Sequence, residues 1–206
     1  CGPAVALLDA DGMPAGCSAA VDVVAAAAAA LAGGLIVALK GIGGYHLACR
    51  ADDQDAVARL RSRKHREDKP FALMAQDLER AEELVALGER ERELLRSAPR
   101  PIVLALRRPD APVAASVAPG APELGVMLPY SPLHHLLLAD AGVPLVMTSA
   151  NVSDEPIAYR DEDARERLAA IADLFLAHDR PIETRTDDSV VRVVRGARGG
   201  RTAFQR

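Results

Sequence analysis

Residues 18–45 read SAAVDVVAAAAAALAGGLIVALKGIGGY, and this stretch decides the fold. Ser18 is an N-cap candidate, the alanine-rich run behind it favours helix, and Gly33-Gly34 is a C-terminal stop. A helix is therefore predicted from Ser18 to about Ala32. Leu35 to Leu39 is then continuously apolar, without the alternation of a half-buried strand, which fits a strand covered on both faces. A helix feeding a doubly covered strand is the unit of an α/β sheet. The strand ends on Lys40-Gly41-Ile42-Gly43-Gly44-Tyr45, where glycines let a backbone or ligand approach closely and a lysine can meet an anion. The lysine precedes the glycines and their spacing is not GxGxxG, so this is neither a Walker A loop nor a dinucleotide fingerprint. A plain tight turn is the other reading.

The same alternation continues downstream. Asp52 or Asp53 can cap a helix to about Arg63, with Ala56, Val57 and Leu60 on one face. Phe71 to Ala75 is strand-like, Asp77 opens a charged helical stretch to Arg96 that breaks near Gly88, and Pro101 to Leu106 is another strand. Pro109 to Pro122, with four prolines, reads as a flexible loop in which a lid could sit. Gly125 to Leu128, a helix from Ser131 to Ala139, the strand Pro144 to Met147, a helix over Asp161 to Ala170, and strands at Leu174 to Ala177 and Val190 to Val194 complete the pattern. The expected domain is 18–195, with 1–17 an edge strand or linker and 196–206 a flexible tail.

Composition narrows the function. The 206 residues carry a formal charge of −4, half of them are apolar, and 3% are aromatic with no Trp. Such a chain buries about 70% of its unfolded surface, here in an aliphatic core. Net acidity argues against wrapping duplex nucleic acid. No stretch approaches the roughly 20 apolar residues of a membrane span, and a cytoplasmic location is the default expectation. Cys1, Cys17 and Cys49 form no CxxC pair, which suits a reducing compartment, and Cys49 reads as buried and inert.

Two clusters carry chemistry. Arg61, Arg63, Lys64, His65, Arg66 and Lys69 place six cationic or titratable side chains within nine residues, joining a helix end to a strand. Cations converging on a cleft can neutralise a triphosphate, the main barrier to attack at phosphorus; a solvated basic helix end is the alternative. Thr148, Ser149, Asn151 and Ser153 crowd the end of a buried strand, where hydroxyls, an amide and turn N–H groups can donate to phosphate; taken alone, a helix or loop cap is the plainer explanation of such a cluster. His134-His135 sits in a predicted helix, so one ring packs and the other is exposed, and neighbouring positions cannot share a metal. His46 and His178 each stand alone.

Taken together, Lys40 to Cys49, Arg61 to Phe71, Leu124 to His135, Thr148 to Pro156, and His178 to Ile182 followed by Asp187 to Val190 resemble the YrdC-like domain of the HypF carbamoyltransferases of [NiFe]-hydrogenase maturation. The resemblance implies an open, twisted, mixed sheet with flanking helices and a concave, positively charged cavity. It implies ATP as substrate, carbamate derived from carbamoyl phosphate as the acyl group, release of pyrophosphate, and HypE as acceptor in the full-length protein. Its Lys-x-Arg and Ser-x-Asn pairs fall on Lys64, Arg66, Ser149 and Asn151, which would hold the phosphates and the adenylate. Lys40 is expected to greet the carbamate and set substrate choice. Arg63, Lys69, Thr148, Arg185 and Ser189 are further expected nucleotide contacts, and Asp187 and Asp188 are the weaker candidates for Mg through water. Cys1-Gly2-Pro3 looks like the end of the zinc-finger region that precedes this domain in the family, so zinc belongs to that region only. The transfer domain is not in this sequence, and carbamoyl transfer to protein is not expected from it alone. Threonylcarbamoyl-AMP synthesis for tRNA modification is the nearest rival, against which the Lys40 turn argues. An RNA-binding module is the other, and three Phe with three Tyr leave little for base stacking.

Overall fold

The computed structural model describes residues 2–15, 20–151, 155–196 and 199–205, so Ser18, Cys1, Cys17 and Ser153 lie outside the described residues. Val5–Leu8 forms β1. The alanine-rich run gives α1, Ala20–Ala32, stopped by Gly34 at a positive φ of 80°. The apolar run gives β2, Val37–Lys40. Its neighbourhood is covered on both faces as expected: Ile36 and Ala38 enter one core cluster, Val37 and Leu39 the other. Tyr45–Arg50 is β3, a strand the pattern did not announce because it too is covered on both sides and lacks alternation.

Beyond β3, Asp53 accepts from the Asp55 and Ala56 amides and starts α2, Gln54–Arg63. Such a cap stabilises a helix by about 1 kcal/mol. Ala72–Met74 is β4. Asp77 caps α3, Leu78–Leu84, and the break at Gly88 separates it from α4, Glu89–Arg96. Ile102–Leu106 is β5, Glu123–Met127 β6, and Ser131 caps α5, Pro132–Ala141. Leu145–Ser149 is β7, Asp161–Leu168 α6, Leu174–His178 β8, Val190–Gly196 β9 and Gly199–Gln205 β10.

Among the described residues the strands form one ten-strand mixed sheet, ordered β1-β8-β2-β3-β7-β4-β6-β5-β9-β10. The pairs β2–β8, β4–β6 and β5–β9 are parallel and the rest antiparallel. Helices α1 and α5 pack together on one face, burying Val23, Val24, Ala27, Leu31, Leu133 and Leu137. Helices α2, α3, α4 and α6 contribute to the core of the other.

Residues 5–8 pair with β8 at the rim of the sheet, which is the edge-strand reading of this region. Two expectations change. Residues 199–205, expected in a tail, pair antiparallel with β9; β9 supplies the ladder partners that a Gly- and Arg-rich strand lacks alone. The 109–122 stretch is no open lid. Ala111, Val113, Ala114, Val117 and Ala118 between its prolines are buried, the Ala114 amide donates to the Ala51 carbonyl, and the Phe71 amide to that of Val117.

Candidate functional site

The basic cluster lies where α2 ends. Lys64 is its C-cap, the His65 amide donates to the Ser62 carbonyl and the Arg66 amide to that of Arg61, which closes a Schellman turn. His65 occupies the left-handed position of that turn, φ 52°, where glycine is usual. The turn sends the Lys64 side chain inward. Only 2% of the residue is exposed, and Nζ donates to the Ser149 carbonyl at 2.8 Å, the Asn151 carbonyl at 2.6 Å and Asn151 Oδ1 at 2.7 Å. Three acceptors on one nitrogen require the ammonium form. Among the described residues no carboxylate is paired with it. Burial, and then the charge of Arg66, push the Lys64 ammonium down to about 7.

The other half of the meeting is the end of β7. Thr148 is buried within the strand. The Ser149 hydroxyl donates to Asn151 Oδ1 at 2.8 Å, and Asn151 Nδ2 donates to the Glu155 carbonyl at 2.8 Å. Asn151 Oδ1 thus receives two hydrogen bonds, which fixes its amide face. Lys64, Ser149 and Asn151, expected from motifs some 85 residues apart, are in contact.

The remaining cations divide. Arg61 donates to the carbonyls of Ser116, Val117, Arg66, Glu67 and Lys69, tying the basic turn to the 115–117 stretch. Arg66 donates to the Lys69 and Pro70 carbonyls, and both guanidinium groups lie over the Phe71 ring, at 4.6 and 5.2 Å. Arg63 turns to Asp173 Oδ1 at 2.7 Å and the Ile171 carbonyl at 2.9 Å. Asp173 also accepts from the Ile36 amide, so Arg63 sits in a structural link at the start of β8 instead of joining Lys64. Lys69 is exposed.

Lys40 has partners within the protein. It is 3% exposed, and its Nζ lies 2.7 Å from Asp161 Oδ1, 2.9 Å from Oδ2, and 2.9 Å from the His178 carbonyl. The Tyr45 hydroxyl donates to Asp161 Oδ1 at 2.8 Å; burial and this carboxylate raise the Tyr45 phenol far above its ordinary range. The ammonium therefore has a protein anion as partner, supplied by the first residue of α6. The glycines of the following turn are close-approach positions, but for the chain itself. A Cβ on Gly43 would stand 1.9 Å from Thr186 Oγ1, and one on Gly44 2.7 Å from Ile157 Cδ1.

Residues 183–189 are largely exposed and lie against this turn, the Thr186 amide donating to the Gly43 carbonyl at 3.0 Å. Arg185, Asp187 and Ser189 face outward, and the Ser189 carbonyl accepts from the Ile102 amide. Asp188 turns inward. Its Oδ2 lies 2.9 Å from His46 Nε2, and the Tyr130 hydroxyl is hydrogen-bonded to it. Burial acts to raise the Asp188 carboxyl, but the hydrogen bond and charge of His46, with His134 and Tyr130, hold it below the usual range. His134, fully buried, stacks edge-on against Tyr130 at 4.5 Å, and burial drives it down to about 3; His135 is exposed. His46, Tyr130, Tyr45 and Asp161 are the site's neighbours that sequence reasoning missed. The one available signal was that His46 precedes a buried run. Among the described residues no group of three His, Cys, Asp or Glu is placed to hold a metal; Asp187 is exposed and Asp188 is engaged by His46 and Tyr130.

The strand register joins these parts: His46 lies directly opposite Ser149 in the β3–β7 pair. One end of the central strands thus carries a buried ammonium, an oriented Ser–Asn pair and an exposed arginine segment. The apolar hollow lined by Pro3, Val5, Val24, Leu133 and Leu136 is elsewhere, on the α1–α5 side.

The Sua5/YciO/YrdC family model, described as "Telomere recombination", matches residues 29–201. The chain belongs to this family. It is 52% identical over 183 residues to the carbamoyltransferase HypF of Rhodobacter capsulatus, covering 86% of this chain and 24% of that protein. A crystal structure of full-length HypF in a phosphate- and nucleotide-bound form superposes with a TM-score of 0.86 at 45% identity, over 93% of this chain and 24% of that one. The threonylcarbamoyl-AMP synthase of Bacillus subtilis is 30% identical over 157 residues, covering 73% of this chain and 45% of that protein. The chain spans about a quarter of the length of the HypF relatives it matches.

Proposed function

We propose that this chain makes a carbamoyl-adenylate from carbamate and ATP, as the adenylating part of a HypF-type carbamoyltransferase. The observation that carries this reading is the contact of Lys64 with Ser149 and Asn151, a buried cation that has no carboxylate partner among the described residues, at the end of a central strand. A carbamate oxygen attacks the α-phosphorus, the bond from that phosphorus to the bridging oxygen breaks, and its electron pair leaves on pyrophosphate. No proton has to move.

The residues stabilise charge and position groups. A phosphate oxygen is a stronger acceptor than the neutral oxygens that Lys64 now meets, so the ligand takes the place of Asn151 Oδ1 on Nζ. Lys64 and Arg66 then stabilise the charge on the five-coordinate phosphorus. Ser149 and Asn151, with Thr148 beneath them, hold the adenylate phosphate. Arg185, Ser189 and Lys69 are the exposed contacts for the outer phosphates. Lys40 supports the site through Asp161 and Tyr45, so its influence on the acyl group is indirect. Mg, where required, arrives on the triphosphate, and no step here uses it. In a longer protein, HypE would receive the carbamoyl group.

The test is ATP-dependent pyrophosphate release with carbamate, supplied by bicarbonate and ammonia in equilibrium with it, run beside threonine with bicarbonate. Release with carbamate is expected, reduced strongly by Lys64→Ala or Ser149→Ala with the fold retained. Release with threonine and bicarbonate alone would replace this reading by threonylcarbamoyl-AMP synthesis.

A further inference from the structure

The cations beside the site are unequally available, and the inequality singles out one segment. Arg61, Arg63, Arg66, Lys64 and Lys40 all donate to protein oxygens. Arg185 is exposed and meets no hydrogen-bond or ion-pair partner among the described residues. Yet the backbone around it is well anchored. Ile182 is buried just upstream, the Thr186 amide is bonded to Gly43, and the Ser189 carbonyl takes the Ile102 amide. The bare face of Gly43 lets Thr186 sit closer than any side chain would allow.

Asp188 is the inward-facing residue of this exposed stretch. It reaches past its own segment to His46 on β3 and to Tyr130 at the entry to α5. Because His46 is the cross-strand partner of Ser149, the grip on Asp188 lies one strand from the Ser–Asn pair. A carboxylate held by two side chains from different elements defines a position far better than backbone contacts on an exposed loop do.

We propose that Asp188, gripped by His46 and Tyr130, is a positioning residue that fixes the 183–189 segment against the Gly41–Gly44 turn and so presents Arg185 to the phosphates of the bound nucleotide. This deepens the nucleotide reading above and rests on it. Asp188 acts through Arg185, and Arg185 is the contacting group.

The experiment is ATP affinity by titration calorimetry for the unmodified chain, Arg185→Ala, Asp188→Asn and the double variant, with Arg185→Lys as the conservative replacement. Losing one charge-assisted phosphate contact weakens binding about tenfold or more, and that is expected for Arg185→Ala. Asp188→Asn should weaken it several-fold, and should have no further effect where Arg185 is already alanine. Arg185→Lys should recover part of the loss. Equal losses from Asp188→Asn with and without Arg185 would overturn the proposal, as would unchanged affinity in Arg185→Ala. Where Asp188→Asn fails to fold, Tyr130→Phe removes one of the two grips and must give the same non-additivity. A chain that binds no ATP at all would remove the nucleotide reading itself, and this role with it.

Discussion

Replacing Lys40 by Met separates a structural lysine from a substrate-binding one. The side chain is 2% exposed, and its ammonium meets both oxygens of Asp161 and the His178 carbonyl within 2.9 Å. Methionine fills the volume but leaves Asp161 without its cation. Removing one partner of a fully buried pair costs about 3–5 kcal/mol. Asp161 is 34% exposed and keeps the Tyr45 hydroxyl, so water and that hydroxyl recover a share, and about 2–3 kcal/mol is the expected loss. For a chain of this size each kcal/mol moves the midpoint by about 2–4 °C, which gives a fall in Tm of roughly 4–12 °C. Thermal unfolding by circular dichroism measures it. Adding Asp161→Asn to Lys40→Met should recover stability, because the orphaned charge is gone. Acyl preference should stay as it is. A Lys40→Met variant as stable as the parent but with altered acyl preference would refute this reasoning and return Lys40 to the substrate contact suggested by its sequence position.

Two further outcomes are expected. Lys64 titrates near 7 when the site is free, and an anionic phosphate raises it, so between about pH 7 and the ordinary lysine value of 10.5 the complex holds a proton that the free protein has lost. ATP binding at pH 8 should therefore take up close to one proton, seen as a buffer-dependent calorimetric enthalpy, and affinity should fall as pH rises through that window; no uptake would place the phosphates away from Lys64. Gly43→Ala puts a Cβ 1.9 Å from Thr186 Oγ1 and 2.7 Å from its carbonyl oxygen, an overpacking that should lower stability by about 1–3 kcal/mol in urea titrations, with Thr186→Ala recovering only part because the backbone contact stays.

What was legible in the sequence follows from the range of each interaction. Helices α1 and α2 are written locally, in caps, glycine stops and spacing; α2 appears where expected, and so does the described part of α1. The Lys64, Ser149 and Asn151 contact was legible because two polar clusters each ended an apolar element. The partner of Lys40 was not legible, because Asp161 is 121 residues away and looks locally like the opening residue of a charged helix. Arg63 is alike: its charge pointed to the cluster, while its rotamer follows Asp173, 110 residues on. Strand β3 had no alternation to show, since both its faces are covered. In the 109–122 stretch the prolines hid the Ala and Val that bury it.

The strand order also bears on how the margins of the sheet relate to its middle. The first and last strands of the chain, β1 and β10, are the two outer edges of the sheet, while β3 and β7 stand fourth and fifth. At a strand spacing of about 4.8 Å the site lies about 14 Å from one edge and about 24 Å from the other. Val5, at the start of the first strand, lies opposite His178, whose carbonyl meets Lys40, and Gln205, at the end of the last, lies opposite Val190, the residue after the 183–189 segment. The margins of the sheet are thus tied to its middle: each outer strand is anchored next to a residue that touches the Lys40 pair or continues the 183–189 segment.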